Sequence, residues 1–306
     1  MCSSAYWRRT ACAGAGRADS AAAMRATETR RRLLMATNLT LAPLLAAWAG
    51  PARGQAAARP VPYRDSIPPT LVTFEMVPVP GGTVTLDSPA GPRVVAVAPF
   101  WIGKTEVTWD EYDVWVYRLD VAAGAPGGPD SADATARPSR PYGAPDRGFG
   151  HQGYPALAMT YPAARAYCAW LSARTGRHYG LPTDAQWTRA LELGLGTDTS
   201  LSAERRDALA WHAGNAANQA HPVATKQADA LGVHDLLGNV AEWVTVPGGA
   251  PVVRGGSWAD PAARVGPRAR AAQTPAWNET DPQFPKSRWW LADAPFVGFR
   301  IVLLTP

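Results

Sequence analysis

The sequence predicts a loop-rich globular domain that mixes short strands with capped helices behind an export leader. Three observations lead there. Among 306 residues the aromatics are skewed to Trp (13, against 6 Phe), Gly (28) and Pro (29) are abundant, and only 18% are charged. Large aromatic anchors among many turn residues suit neither a helical bundle nor a disordered chain. Two helix-start signatures stand out: Thr108 followed by Glu111, and Thr183 followed by Gln186. Several apolar-alternating stretches bounded by Gly and Pro read as strands. A chain of this length can also bury a sizeable core.

The leader comes first in order. In TRRRLLMATNLTLAPLLAAWAG, Arg30–Arg32 precede an apolar run from Leu33 to Gly50, and small residues follow at Gly54–Ala58. This is the layout of a secretory signal with cleavage near Ala56–Ala58. The Arg group resembles a twin-arginine signal. The expected location is therefore periplasmic or secreted, with no retained membrane span, and either Met1 or Met24 can be the start. The formal charge of +5 belongs to this leader. Residues 1–56 carry eight Arg and two acids, a net +6, which leaves −1 for the rest. A nucleic-acid partner loses its main support. Cys2 and Cys12 also lie in the leader, so Cys168 is alone in the mature chain and no internal disulfide is expected.

Residues 59–72 form a Pro-rich lead-in to a domain over 73–306. FEMVPVPGGTVTLDSP reads as a hairpin around Gly81-Gly82. Strands follow at Val94–Val97 and Phe100–Lys104, then a helix from Thr108 with its capping box. Residues 121–153, rich in Gly, Pro, Ala and Asp, read as a flexible surface insertion. A helix is expected over Pro162–Arg174, stopped by Gly176, with Cys168 as a buried small hydrophobe. Thr183 starts another helix, and FVGFRIVLL reads as a closing strand.

Five segments occur in order: GKTEVTWDEY, AYCAWL with YGLPTDAQW, GVHDLLGNVAEWV, RGGSW and VGFRIV. Together they resemble the signature segments of the formylglycine-generating enzyme (sulfatase-modifying factor) family over residues 73–304. The resemblance implies an α+β domain, a formylglycine-generating-enzyme-type variant of the C-type lectin fold that is low in regular secondary structure. It also implies structural calcium, held by the Asp235 and Glu242 side chains and the Gly238 and Val240 carbonyls; oxygen-rich donors of this kind suit Ca2+.

The family's oxidase activity uses two copper-binding cysteines, and by the resemblance Asp260 and Val265 occupy their positions. Cu(I) selects soft sulfur ligands, so copper chemistry of that type is not expected. A related branch holds iron through a His-x-x-x-His-x-Glu segment. None of His151, His178, His212, His221 and His234 pairs at that spacing, which leaves only an iron site built from scattered His and Asp260 as an alternative. The expectation is an exported accessory or binding protein without formylglycine-generating activity. Its runner-up is an oxidoreductase of the same superfamily acting on a peptide or peptide-derived substrate. Arg254, Ser257, Trp258, Asp260, Arg268 and Arg270 are the expected pocket residues, because Arg and Trp suit a peptide, a protein or a small anionic ligand.

Overall fold

Strand β1 (Tyr63–Ser66) pairs antiparallel with β2 (Thr73–Val79), whose alternating burial sends Phe74 and Met76 into the core. The structure, a computed structural model, describes residues 60–87, 91–122, 125, 137–138, 143–196 and 201–304. All belong to one compact unit spanning Ala57–Pro306. The leader, its apolar run and the expected cleavage region lie outside the described residues. No helix among the described residues is long and apolar enough to cross a membrane.

The expected hairpin about Gly81-Gly82 is not formed. Strand β3 (Gly82–Leu86) pairs with β4 (Arg93–Val97) as a separate two-stranded sheet, while the free edge of β2 takes β5 (Phe100–Gly103), with Val77 opposite Ile102. Arg189 explains the break: its guanidinium donates to Pro80 O at 3.2 Å and Gly81 O at 3.0 Å. Those carbonyls are turned toward a helix, and the chain leaves the sheet there.

Helix α1 (Trp109–Val116) begins at Thr108, and both halves of the capping box form. Helix α2 (Tyr161–Thr175) is capped by Thr160 and ends at Gly176, whose φ of 71° is the left-handed C-cap that glycine tolerates. Cys168 is buried in α2, and burial pushes its thiol up. Strand β6 (Tyr179–Gly180) leads to α3 (Asp184–Leu195), started by the Thr183–Gln186 box, then to α4 (Ala203–Leu209), capped by Ser202. The second sheet contains β7 (Ala241–Val244), β8 (Val252–Arg254), β9 (Arg270–Ala272) and β10 (Val297–Gly298), in the order β10-β7-β8-β9.

The closing stretch FVGFRIVLL is two strands instead of one. β10 pairs parallel with β7 in the second sheet, and β11 (Val302–Leu304) lies between β5 and β6 in the first. Phe299–Ile301 link the sheets: Phe299 O accepts from Val107 N at 3.0 Å, and Ile301 O from Gly103 N at 2.8 Å. Arg300, between them, is fully buried.

The core has an aromatic part and an aliphatic part. Tyr112, Trp115, Tyr167, Trp289 and Phe299 meet in edge and stacked contacts under α1 and α2. Trp187, Leu191, Leu195, Val244 and Val252 fill the space between α3 and the second sheet. The described parts of 121–153 are tied to this body. Arg137 and Arg174 pair with buried Asp120, which also accepts from Trp170 Nε1; these partners overcome burial and hold its carboxyl at about 2. His151 stacks on Trp109 and bonds Asp113 at 2.7 Å.

Glu111, buried in the box at the start of α1, has its carboxyl raised to about 7 by desolvation, against the hydrogen bonds from Thr108. Its folded value lies above the unfolded one, so its stabilising contribution is full below about pH 4.5 and is lost as pH rises through 7. A shift of that size corresponds to about 3 kcal/mol. Replacing Glu111→Gln, which can still accept from Thr108, is expected to flatten the fall in stability between pH 5 and pH 8, measured by urea denaturation at each pH. An unchanged slope would remove Glu111 as its source.

Candidate functional site

The GNVAEW segment folds around a buried ionic network. Glu242 in β7 is fully buried, and both of its oxygens are engaged. Oε1 accepts from Arg300 Nε at 2.7 Å and Nη2 at 2.5 Å, while Oε2 accepts from Trp187 Nε1 at 2.9 Å. The remaining Arg300 donors reach Gly103 O and His234 O, both at 2.9 Å. Glu106 accepts from Val240 N at 3.0 Å and Asn239 Nδ2 at 2.9 Å. Burial, with Asp235 and Glu242 nearby, pushes the Glu106 carboxyl well up; burial raises Asp235 to about 6. The turn needs glycine at 238, where φ is 78° and a Cβ would come within 2.2 Å of Trp211 O.

This arrangement tests the calcium set implied by the resemblance. Arg300 and Trp187 already take three of the roughly four lone-pair sites of Glu242, and Oε1 is shared by two Arg300 nitrogens. Asp235 Oδ2 accepts from Ala224 N at 2.8 Å, which leaves only its buried Oδ1 without a partner. Ca2+ requires six to eight oxygens. The set Asp235, Gly238, Val240 and Glu242, as arranged, does not fit it, because the Arg300 guanidinium holds the place of the charge partner. Among the described residues no group of three or more His, Cys, Asp or Glu is placed to hold a metal ion.

The RGGSW corner buttresses the same turn. Trp258 N donates to Asn239 O at 2.8 Å, and Gly255, with φ of 88°, sits where a Cβ would come within 2.6 Å of Leu236 O. Asp260 Oδ2 accepts from Ser257 N at 2.9 Å and Ser257 Oγ at 2.8 Å. Arg254 pairs with buried Asp184 at the start of α3, donates to Pro267 O at 2.7 Å and lies 4.5 Å above the Trp187 ring. Arg270 pairs with the same Asp184. Arg254, Ser257 and Trp258 make these scaffold contacts and are not among the residues that line the cleft beside the corner.

Beside this corner lies a cleft of about 800 Å³. Its floor follows from strand parity. In the register Trp243↔Val253↔Ala271, Ala241, Val253 and Ala271 share one face of the sheet, while Glu242, Arg254 and Arg270 belong to the other parity. Trp277 and Phe296, in edge contact at 5.5 Å, form an aromatic wall. The rim carries Arg206, Arg264, Arg268 and Arg270 against the single acid Asp260. Arg206 is engaged with Val265 O and Leu201 O, and Arg270 with Asp184. Arg264 and Arg268 are exposed, and their guanidinium groups have no hydrogen-bond or ion-pair partner among the described residues.

Three of the six expected pocket residues line the cleft: Asp260, Arg268 and Arg270. Val265 also borders it, although its side chain packs in the aliphatic core. None of the five His lines the cleft that contains Asp260. His151, His212, His221 and His234 are instead engaged with Asp113, Asp207, Ala216 O and Lys226 O. Sequence reasoning missed Arg206, Arg264 and Phe296 at the cleft, and Glu106 and Arg300 in the network. Only Arg300 carried a signal, as a lone charge inside an apolar run.

The chain belongs to the family defined by the sulfatase-modifying factor enzyme 1-like domain, whose model matches residues 67–303. Among solved structures it is similar in fold to variable protein 1 of Treponema denticola, at 20% identity and a TM-score of 0.58, covering 80% of this chain and 99% of that one. It is likewise similar to PvdO from Pseudomonas aeruginosa, at 22% identity and a TM-score of 0.52, covering 76% and 95%. No curated protein sequence matches the chain. The mixed architecture of helices and small sheets is that of the formylglycine-generating-enzyme-type, C-type-lectin-like fold.

Removing one partner of a buried ion pair strands the other charge. Arg300→Met is expected to cost about 3–5 kcal/mol, read as a lower urea midpoint, while exposed Arg268→Ala changes it by about 0.5 kcal/mol or less. Equal melting temperatures in calcium chloride and in chelator are expected; a calcium-dependent rise would reinstate the metal set.

Proposed function

We propose that this chain is a family member that acts after export and binds an anionic ligand in the cleft over β7–β9, without the copper-thiolate oxidation of cysteine. The observation that carries the reading is the rim, where Arg264 and Arg268 stand unpaired above the Trp277–Phe296 wall. Arg presents a planar fork of donors suited to carboxylate, phosphate or sulfate, and an aromatic wall adds apolar contact. Cys168 is the one free cysteine among the described residues and is buried in α2, away from the cleft residues. Asp260 and Val265, at the positions where the family's cysteines are expected, offer no thiolate. The Arg30–Arg32 group and the apolar run after it support export.

The test is titration calorimetry of the purified full chain with citrate and with inorganic sulfate. Binding is expected, and Arg264→Ala with Arg268→Ala is expected to weaken it about tenfold, about 1.4 kcal/mol. A cysteine-containing peptide supplied with copper and oxygen is expected to yield no formylglycine by mass spectrometry. Affinity indifferent to both Arg substitutions, or aldehyde formation, would overturn the reading.

A further inference from the structure

A second cleft of about 720 Å³ begins at Gln273 and Thr274, directly after β9, and is closed by Asn278, Lys286 and Ser287. The strand between them, Arg270–Ala272, is the outer strand of its sheet and is exposed along its whole length. Beyond its pairing with β8, residues 270–273 make no main-chain hydrogen bond among the described residues. Edge strands with open N–H and C=O groups are templates for another strand, and natural proteins commonly guard them with charge, proline or a covering element. Here the one charged residue, Arg270, is held by Asp184, and the middle and last residues, Ala271 and Ala272, offer no steric guard.

We infer that the two clefts and the β9 edge form one groove for an extended acidic peptide, which adds as a strand to β9. This rests on the reading of the first cleft as an anion site. The groove is polarised. The first cleft carries the unpaired Arg264 and Arg268, whereas the second is mixed, with Gln273, Thr274, Asn278 and Ser287 beside Glu279 and Lys286. Lys286 is already engaged with Glu279 O and Asp281 O. The occupant therefore carries its acidic residues over Arg264 and Arg268 and continues with neutral polar or β-branched residues past Gln273. Strand addition supplies main-chain bonds for affinity and alternate side-chain contacts for selectivity. Two clefts of this size exceed what one small anion fills. A long polyanion is disfavoured because residues 57–306 carry a net charge of −1.

The test is fluorescence anisotropy on the full chain. The probe is a labelled peptide with aspartates at one end followed by alternating valine and threonine, and citrate is titrated in parallel. Two further probes carry backbone N-methyl groups on the odd or on the even residues, which blocks donation from one edge of the strand and leaves every charge in place. Strand addition is expected to abolish binding for one set and spare the other. Arg264→Ala with Arg268→Ala is expected to weaken the parent peptide about tenfold. If both N-methylated sets bind like the parent while citrate still binds, strand addition is wrong and the anion site stands. Tighter binding of polyuridylate than of the peptide would replace the peptide with a nucleic acid. If neither citrate nor peptide binds, both readings fall.

Discussion

The buried pair of Glu242 and Arg300 is the contact on which the rest of the fold depends. It joins the second sheet, through β7, to the segment that carries the chain from β10 to β11. The other donors of Arg300 reach the end of β5 and the loop before the GNVAEW turn. A guanidinium has five donors in a fixed plane, so one side chain can tie together elements from four parts of the sequence. Desolvating two charges is costly, and the geometry offsets that cost only because nearly every donor and acceptor finds a partner. Trp187 closes the set by giving Glu242 its last hydrogen bond.

That pair also separates scaffold from site. Once Glu242 and Arg254 face the α3 side of the sheet, strand parity turns Ala241, Val253 and Ala271 to the opposite side, where small side chains leave room for a cleft. Asp184 completes the scaffold by holding Arg254 and Arg270 together at the start of α3. The RGGSW corner belongs to this layer: Ser257 and Asp260 close a turn on themselves, and Trp258 reaches back to the Asn239 carbonyl. The chemistry available in the cleft is therefore set by what lies across from the corner, namely the 264–268 rim and the Trp277–Phe296 wall.

Local signals were read well where the physics is local. Capping boxes at Thr108 and Thr183 are decided by residues three apart, and the stop at Gly176 by one left-handed position. The buried state of Cys168 followed from its aromatic neighbours in α2. Failures came where a distant residue intervened. Arg189 turns the Pro80-Gly81 carbonyls away from a hairpin, and Arg300 divides an apolar run that otherwise looks like one strand. The expected pocket residues divide for the same reason. Arg268 and Arg270 were found, but Arg254 resembled them in sequence and is consumed by Asp184, 70 positions away.

The sequence by itself determined the helix starts and stops, the buried state of Cys168, and the family, because these rest on spacing and composition. Only the tertiary structure decided which charges are spent and which are free. Glu242, Arg254 and Arg270 are neutralised by partners far along the chain, while Arg264 and Arg268 find none among the described residues. Charge pairing depends on distance in space, and a sequence records only order along the chain.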